Sequence, residues 1–247
     1  MWFVRKGKNG IYSKYIKRIL DIICALAAII VFFWLYAIVA VLVKIKIGSP
    51  VIFKQPRPGK DTKIFYLYKF RTMTDFRDEN GNLLPDEKRL TAFGRSLRAS
   101  SLDELPEVWN ILRGDMSVIG PRPQLVRDMV FMNSEQMRRH EIKPGLSGLA
   151  QVMGRNALEW EHKLEADIEY LENMSFWLDL MIVCKTVKQV FFRRKGILKS
   201  DIDEVDLTDD FGDYLVKEKK ISESEYYEKQ LQAKKILGEQ EKSTLKI

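Results

Sequence analysis

The sequence predicts an α+β chain: an N-terminal membrane-embedded helix, a mainly helical body with a short β-hairpin, and amphipathic helices suited to a membrane surface. Three observations predict it. Ile22 to Val43, "IICALAAIIVFFWLYAIVAVLV", carries no charge, and at about 1.5 Å per residue it can reach across a hydrocarbon core of ~30 Å. "VIFKQPRPGKDTKIFYLYKF" reads as two short apolar strands around a Pro/Gly turn. Past residue 100, apolar residues recur at helical spacing in several stretches.

Taken in order, Met1–Tyr15 is a basic lead-in. The apolar run that follows is too long for a signal-peptide core and has no small-residue cleavage site after it, so it reads as retained. Arg5, Lys6, Lys8, Lys14, Lys17 and Arg18 precede it; Lys44, Lys46, Lys54, Arg57, Lys60 and Lys63 follow. Positive residues favour the cytoplasmic side. Two basic flanks suit a helix that enters and returns to the same face. A single span oriented by the N-terminal charges is the rival, and charge alone does not separate them. No proline or glycine between Ile22 and Val43 marks a hinge. Residues 75–89, "DFRDENGNLLPDEKR", read as a surface loop, 103–113 as a helix and 114–123 as a tight Gly/Pro loop. Residues 125–140 read as a helix with Val126, Met129, Val130 and Met137 on one side, and 143–155 as a glycine-punctuated loop. Asn156 with Glu159 makes a capping-box pattern ahead of Trp160, Leu164, Ile168 and Leu171. In 175–195, Trp177, Leu180, Met181, Cys184 and Phe191 form a stripe, with Lys185, Lys188, Arg193 and Arg194 elsewhere. That suits a helix lying on an anionic membrane surface, or a core helix with a basic end. Ser222 with Glu225 caps a terminal helix. The organisation is therefore 1–48, lead-in and membrane helix; 49–200, body; 201–247, acidic extension.

Hydrophobic residues make up 46% of the chain, which excludes wholesale disorder. The net charge of +7 is uneven: from Asp201 to Ile247 there are 13 acids against 8 lysines, leaving the first 200 residues at +12. A basic body implies an anionic partner: nucleic acid, anionic lipid or a phosphorylated substrate. Cys24 and Cys184 sit in apolar segments and give neither a disulfide framework nor a zinc site. His140 and His162 are isolated and read as exposed or capping residues.

The chemistry concentrates in "SSLDELPEVWNILRGDMSVIGPRP", Ser100 to Pro123. Proline is tolerated only near the first turn of a helix, so Pro106 sets a helix start around Ser101–Asp103, and Ser101 with Glu104 fits a capping box. Asp103 and Glu104 then lie at a helix N-terminus, which stabilises carboxylates and phosphate alike. An ionised Asp103 there can act as a nucleophile, and Glu104 can hold Mg²⁺ against a diphosphate. Capping alone would also explain the pair. The neighbourhood adds cations in stiff, Gly/Pro-shaped surroundings: Arg57 in "QPRPG", Lys69 and Arg71 in "KFRTM", Arg98, Arg122 in "GPRP" and Arg155 in "GR". Arginine grips phosphate in a forked geometry, so the set reads as a phosphate site with a metal. Neither G-x-x-x-x-G-K-S/T nor G-x-G-x-x-G occurs.

"GSPVIFKQPRPG", "YKFRTM", "SLDELPEVWNILRGDMSVIGPRP", "KPGLSGLAQVMGRN" and "DIEYLENMSFWLDL", spread over Lys17 to Lys195, resemble the bacterial sugar transferase family, the monotopic phosphoglycosyl transferases, in its short form. The resemblance implies transfer of sugar-1-phosphate from a UDP-sugar to polyprenyl (undecaprenyl) phosphate, with UMP leaving, as the first membrane step of bacterial glycan assembly. It implies that Asp103 forms a phosphosugar-aspartyl intermediate and that Asp103 and Glu104 are the Mg²⁺ ligands, Glu104 foremost. Lys69 and Arg98 match basic positions near the dyad; Arg122 and Arg155 would hold nucleotide and phosphates; Asp167 matches a further acid of the family. It implies the inner membrane of a bacterium, with the body on the cytoplasmic face. The family's membrane helix is re-entrant and broken by Ser-Pro, where this chain has Phe33-Trp34. The acidic extension has no counterpart; packing on the domain, self-association into a homodimer and recruitment of a downstream glycosyltransferase are its open roles. Two other classes compete: a membrane-tethered RNA binder, on "GLSG" (145–148) as a G-x-x-G loop, and a silent scaffold. The intact Asp-Glu pair and the lack of aromatics interleaved with cations favour the enzyme without nucleic acid.

Overall fold

The computed structural model describes residues 7, 10–154, 159–193 and 210–244. A wide turn, Tyr12–Ile16, leads into α1, Lys17–Lys46, which runs unbroken through Phe33-Trp34. With that turn it is a single apolar helix long enough to cross a membrane. Its burial is uneven along its length. Lys17, Asp21 and Ala25 are buried near one end and Val39 and Val43 near the other, while Ile30, Val31, Phe32, Phe33 and Trp34 between them are exposed. Ala25 packs with Phe65, Leu67, Ile111 and Met116; Val39 and Val43 pack with Phe70 and Leu97. Both ends of α1 are thus fastened to one body.

The fastening at the N-terminal end is polar. Lys17 pairs with Asp179, whose carboxylate also accepts from the Tyr12 and Tyr170 hydroxyls, each at 2.6 Å. Oδ1 of Asp21 accepts from Ser117 Oγ at 2.9 Å and from the Val118 amide at 2.8 Å. Arg18 donates to the carbonyls of Ile111 and Leu112 at 2.5 and 2.8 Å. Those carbonyls belong to the last turn of the helix Val108–Arg113, where a helix has no N–H donors of its own left to offer its carbonyls.

The hairpin forms as the sequence predicts: β1, Ile52–Pro58, pairs antiparallel with β2, Ile64–Phe70, in the register Ile52↔Phe70 to Pro58↔Ile64. After it come α2, Ala92–Ala99; a 3₁₀ helix, Leu102–Glu107; and α3, Val108–Arg113. A second sheet goes unannounced by the sequence. β3, Ser117–Ile119, and β4, Gly145–Ser147, pair in parallel inside stretches read as loops. Three residues are too few to show alternation. The same pairing removes the G-x-x-G loop: Gly145 lies in β4, and a Cβ at Gly148 would stand 2.2 Å from the Gly120 carbonyl oxygen.

The helix expected over 125–140 is broken. α4 covers only Val126–Met129, and a separate turn, Ser134–Met137, starts at Asn133. Asn133 Oδ1 accepts from the Gln136 amide, and Gln136 Oε1 from the Asn133 amide, a reciprocal cap that restarts the chain. α5, Leu149–Met153, leads towards α6, Trp160–Asn173, which buries Trp160, Leu164 and Leu171. The capping box expected at Asn156 lies outside the described residues. α7, Phe176–Arg193, buries Asp179 and Ile182 and exposes Phe176, Trp177, Leu180, Met181, Val183 and Val187. Cys24 on α1 and Cys184 on α7 are both exposed. In the extension, α8, Phe211–Lys217, and α9, Glu223–Thr244, close one end of the core. Phe211 and Ala233 pack with Val126, Met129 to Met132, Trp160 and Leu164. Ser222 Oγ accepts from the Glu225 amide at 3.2 Å, the expected cap.

Candidate active site

The local backbone at the acid pair differs from expectation. Ser101 is left-handed (φ 56°) and its side chain caps nothing, so the turn carrying Asp103, Glu104 and Pro106 is 3₁₀. β2 and this turn pack side by side, which sets Lys69 against the acids. Lys69 Nζ donates to Glu104 Oε1 at 2.8 Å, and Arg122 Nη2 donates to the same oxygen at 2.8 Å. Glu104 Oε2 is left without a hydrogen bond among the described residues. Lys69 also reaches Glu107 Oε1 at 3.4 Å. Asp103 is 7% exposed, and its carboxylate makes no hydrogen bond or ion pair among the described residues. Arg98 lies within electrostatic reach of Asp103 and is oriented by Thr72, whose Oγ1 accepts from Nε at 2.9 Å.

The three carboxylates titrate differently because their surroundings differ. Burial pushes Asp103 up to about 6, against the pull of Lys69 and with the push of Glu104. The short 3₁₀ turn therefore does not hold Asp103 in the low range that a helix N-terminus predicts. Burial also works to raise Glu104, but Arg122 and Lys69 overcome it and hold that carboxyl well below the usual range. Burial, with Glu104 beside it, pushes Glu107 up to about 7. Glu104 in turn holds the Arg122 guanidinium firmly charged. Neighbouring groups with pKa values driven apart are characteristic of catalytic sites.

Arg122 is presented by a loop whose three consecutive carbonyls, from Pro121 to Pro123, are each held by a hydrogen bond. The Pro121 carbonyl accepts from the Gly145 amide at 2.9 Å, the Arg122 carbonyl from Arg139 Nη2 at 2.6 Å, and the Pro123 carbonyl from Arg57 Nη1 at 3.0 Å. Arg139 is itself clamped by Asp167 Oδ2, at 2.6 Å from Nη2 and 2.9 Å from Nε, both side chains being almost wholly buried. Of the predicted site residues, the fold brings Asp103, Glu104, Lys69, Arg98 and Arg122 together. Arg57 and Asp167 stand behind the loop instead: Arg57 is bonded to Pro123 and to Gln55 Oε1, and Asp167 to Arg139. Arg71, also noted in the sequence, is buried and bonded to the Met73 and Ser49 carbonyls. Arg155 lies outside the described residues. Sequence reasoning missed Glu107 and Arg139. Glu107 stands three residues after Glu104, one 3₁₀ turn on, and that spacing was a usable signal. Arg139, in the charged run "MRRHE", offered none. His140, expected to be exposed or capping, is buried against the Met137 carbonyl.

Residues 12–193 match the family model for bacterial sugar transferases. The chain is 51% identical over 181 residues to the uncharacterised sugar transferase EpsL of Bacillus subtilis (strain 168), covering 71% of this chain and 87% of that protein. The chain belongs to the bacterial sugar transferase family. This sugar transferase is also 39% identical over 194 residues to a UDP-N-acetylgalactosamine-undecaprenyl-phosphate N-acetylgalactosaminephosphotransferase of Aeromonas hydrophila, covering 74% of this chain and 45% of that one. It is 38% identical over 198 residues to a UDP-glucose:undecaprenyl-phosphate glucose-1-phosphate transferase of Klebsiella pneumoniae, covering 76% and 42%. The transferase thus spans less than half the length of these two relatives. The family match contains every acid and cation of the cluster and stops at Arg193, short of α8 and α9.

Proposed function

We propose that this chain moves sugar-1-phosphate from a UDP-sugar to polyprenyl (undecaprenyl) phosphate at a bacterial inner membrane, through a covalent intermediate on Asp103. The observation that carries the reading is the division of labour within one turn: Glu104 is tied to two cations while Asp103, its neighbour, has no hydrogen-bond or ion-pair partner among the described residues. An unpaired carboxylate, ionised above about pH 6, is free to attack. An Asp103 oxygen adds to the sugar-linked phosphorus of the donor. The bond from that phosphorus to the bridging oxygen breaks, and UMP leaves with the electron pair. A polyprenyl phosphate oxygen then attacks the same phosphorus, and the aspartyl oxygen departs as carboxylate. Arg122, Lys69 and Arg98 offset the growing negative charge in a site that requires no rearrangement of the GPRP loop.

Mg²⁺ fits the donor set. Both cations bind Glu104 through Oε1, which leaves Oε2 and the Asp103 carboxylate as available oxygens. Among the described residues no cluster of three His, Cys, Asp or Glu side chains forms a closed cage. A Mg²⁺ held by one or two carboxylates and completed by substrate phosphates suits that pattern. When bound, the ion would neutralise the diphosphate.

The attachment of both ends of α1 to one body supports a helix that keeps both flanks on one face, the cytoplasmic one, where UDP-sugars are found. The exposed apolar side chains of α7 support an interfacial placement. Such a placement brings a water-soluble donor and a lipid acceptor to one site. The test is to quench the enzyme with donor alone, drawn from a panel of UDP-sugars, and digest it. A phosphosugar adduct on the peptide bearing Asp103, with one UMP released per adduct, is expected. Label confined to another residue refutes the reading.

A further inference from the structure

Gln151, third residue of α5, has a buried terminal amide, and neither Oε1 nor Nε2 finds a hydrogen-bond partner among the described residues. Buried amides are normally paired, so an unpaired one calls for a specific cause. The residue as a whole is part-exposed. The amide therefore lies close to the surface, and among the described residues no hydrogen bond holds it in place.

Its position is informative. β3 and β4 run parallel, and ligands bind outside the carboxyl ends of parallel strands, between the loops that leave them. The loop leaving β3 carries Arg122, and the segment leaving β4 carries Gln151. The two are in contact at their bases. A Cβ on Gly148 would stand 2.2 Å from the Gly120 oxygen and 2.7 Å from Gln151 Oε1, so only glycine leaves room for both.

We propose that Gln151 reads the base of the nucleotide donor. Uracil presents an N3–H beside ring carbonyls, and a carboxamide is its complement: Oε1 accepts from N3–H while Nε2 donates to the neighbouring carbonyl. With phosphates at Arg122, the base then lies along the seam between the two strand ends. This assignment rests on the UDP-sugar reading above and names its base subsite.

The probes are UMP and 3-methyl-UMP, in which a methyl replaces the N3 hydrogen. Their binding is measured calorimetrically on the full chain in nanodiscs, for wild type and for Gln151→Leu. Wild type is expected to prefer UMP by about tenfold to a hundredfold. Gln151→Leu is expected to bring that ratio close to one and to raise the donor KM by a similar factor. Wild type binding both nucleotides equally overturns the assignment without recourse to any variant. So does a leucine variant that weakens both alike, since the amide would then be supporting the loop. A wild type that binds UMP but ignores N3 methylation sinks only this inference. One that neither binds UMP nor releases it from any UDP-sugar sinks the function proposed above as well.

Discussion

Asp167→Asn should disarm Arg122 from behind, though Asp167 touches neither acid of the pair. The side chains of Arg139 and Asp167 are 2% and 3% exposed, and the pair is the sole charge compensation the buried guanidinium has among the described residues. Asparagine keeps the shape and one acceptor but removes the counter-charge. Breaking one side of a buried pair costs about 3–5 kcal/mol, because the remaining charge stays desolvated. In a chain of this size about 1 kcal/mol shifts Tm by roughly 2–4 °C, so a fall of about 10 °C is expected in nanodiscs. The double variant Asp167→Leu/Arg139→Met removes both charges. Stability should recover to within about 1–3 kcal/mol of wild type, the residue being the Arg122 carbonyl left without its donor. Activity should not recover with it. The carbonyl that Arg139 held at 2.6 Å is free, the GPRP loop loosens, and the donor KM should stay at least tenfold raised. Thermal unfolding and UMP release, measured on the same preparations, read the two effects separately. A double variant with near-wild-type stability and a near-wild-type donor KM would refute the claim that this pair serves the loop.

Asp103→Asn should abolish both turnover and the covalent adduct while leaving Tm unchanged or raised, since it removes a buried carboxylate with no partner among the described residues; retained turnover, followed as UMP release, would contradict the nucleophile role. Glu104→Gln should remove the counter-charge that Lys69 and Arg122 share, cutting kcat by at least a hundredfold and flattening the Mg²⁺ titration of activity. His140 supplies a pH test of the fold. Burial, then Arg139, pushes its imidazole down to about 4, and it lines a small cavity with Arg122 and Arg139. Between pH 6.5 and 4 the unfolded chain takes up a proton that the folded one refuses. Stability is therefore full above that window and falls as pH drops through it, by up to about 3 kcal/mol. Denaturation midpoints compared with His140→Gln across pH 4–7 isolate this contribution, and parallel pH profiles for the two proteins would exclude it.

Where local pattern decided the structure, the sequence was enough. Two short apolar runs on either side of Pro58-Gly59 produced the hairpin, and Trp160, Leu164 and Leu171 produced α6. Pro106 located the turn bearing the acids correctly. Its 3₁₀ form and the upward shift of Asp103 followed from burial against β2, which no local pattern announces. The break at Asn133 was legible in principle, because N-S-E-Q is a capping signature, but the Val126–Met137 apolar spacing outweighed it. The support of the GPRP loop was not legible at all. Arg139 finds Asp167 28 residues later, and Pro121 finds Gly145 through a strand pair too short to leave a trace. Arg57 and Asp167 were singled out with the right cluster yet stand one layer behind it, a distinction that depends on depth within the fold.

The attachment of α1 bears on how this protein can be handled. Its long apolar helix doubles as a wall of the core: cutting it away would strip Met116, Phe70 and Leu97 of neighbours, take the Lys17 counter-charge from Asp179, and leave the end of α3 without Arg18. Trimming the helix to gain solubility would therefore be expected to unfold the body, because the contacts that hold the helix are the same ones that close the core.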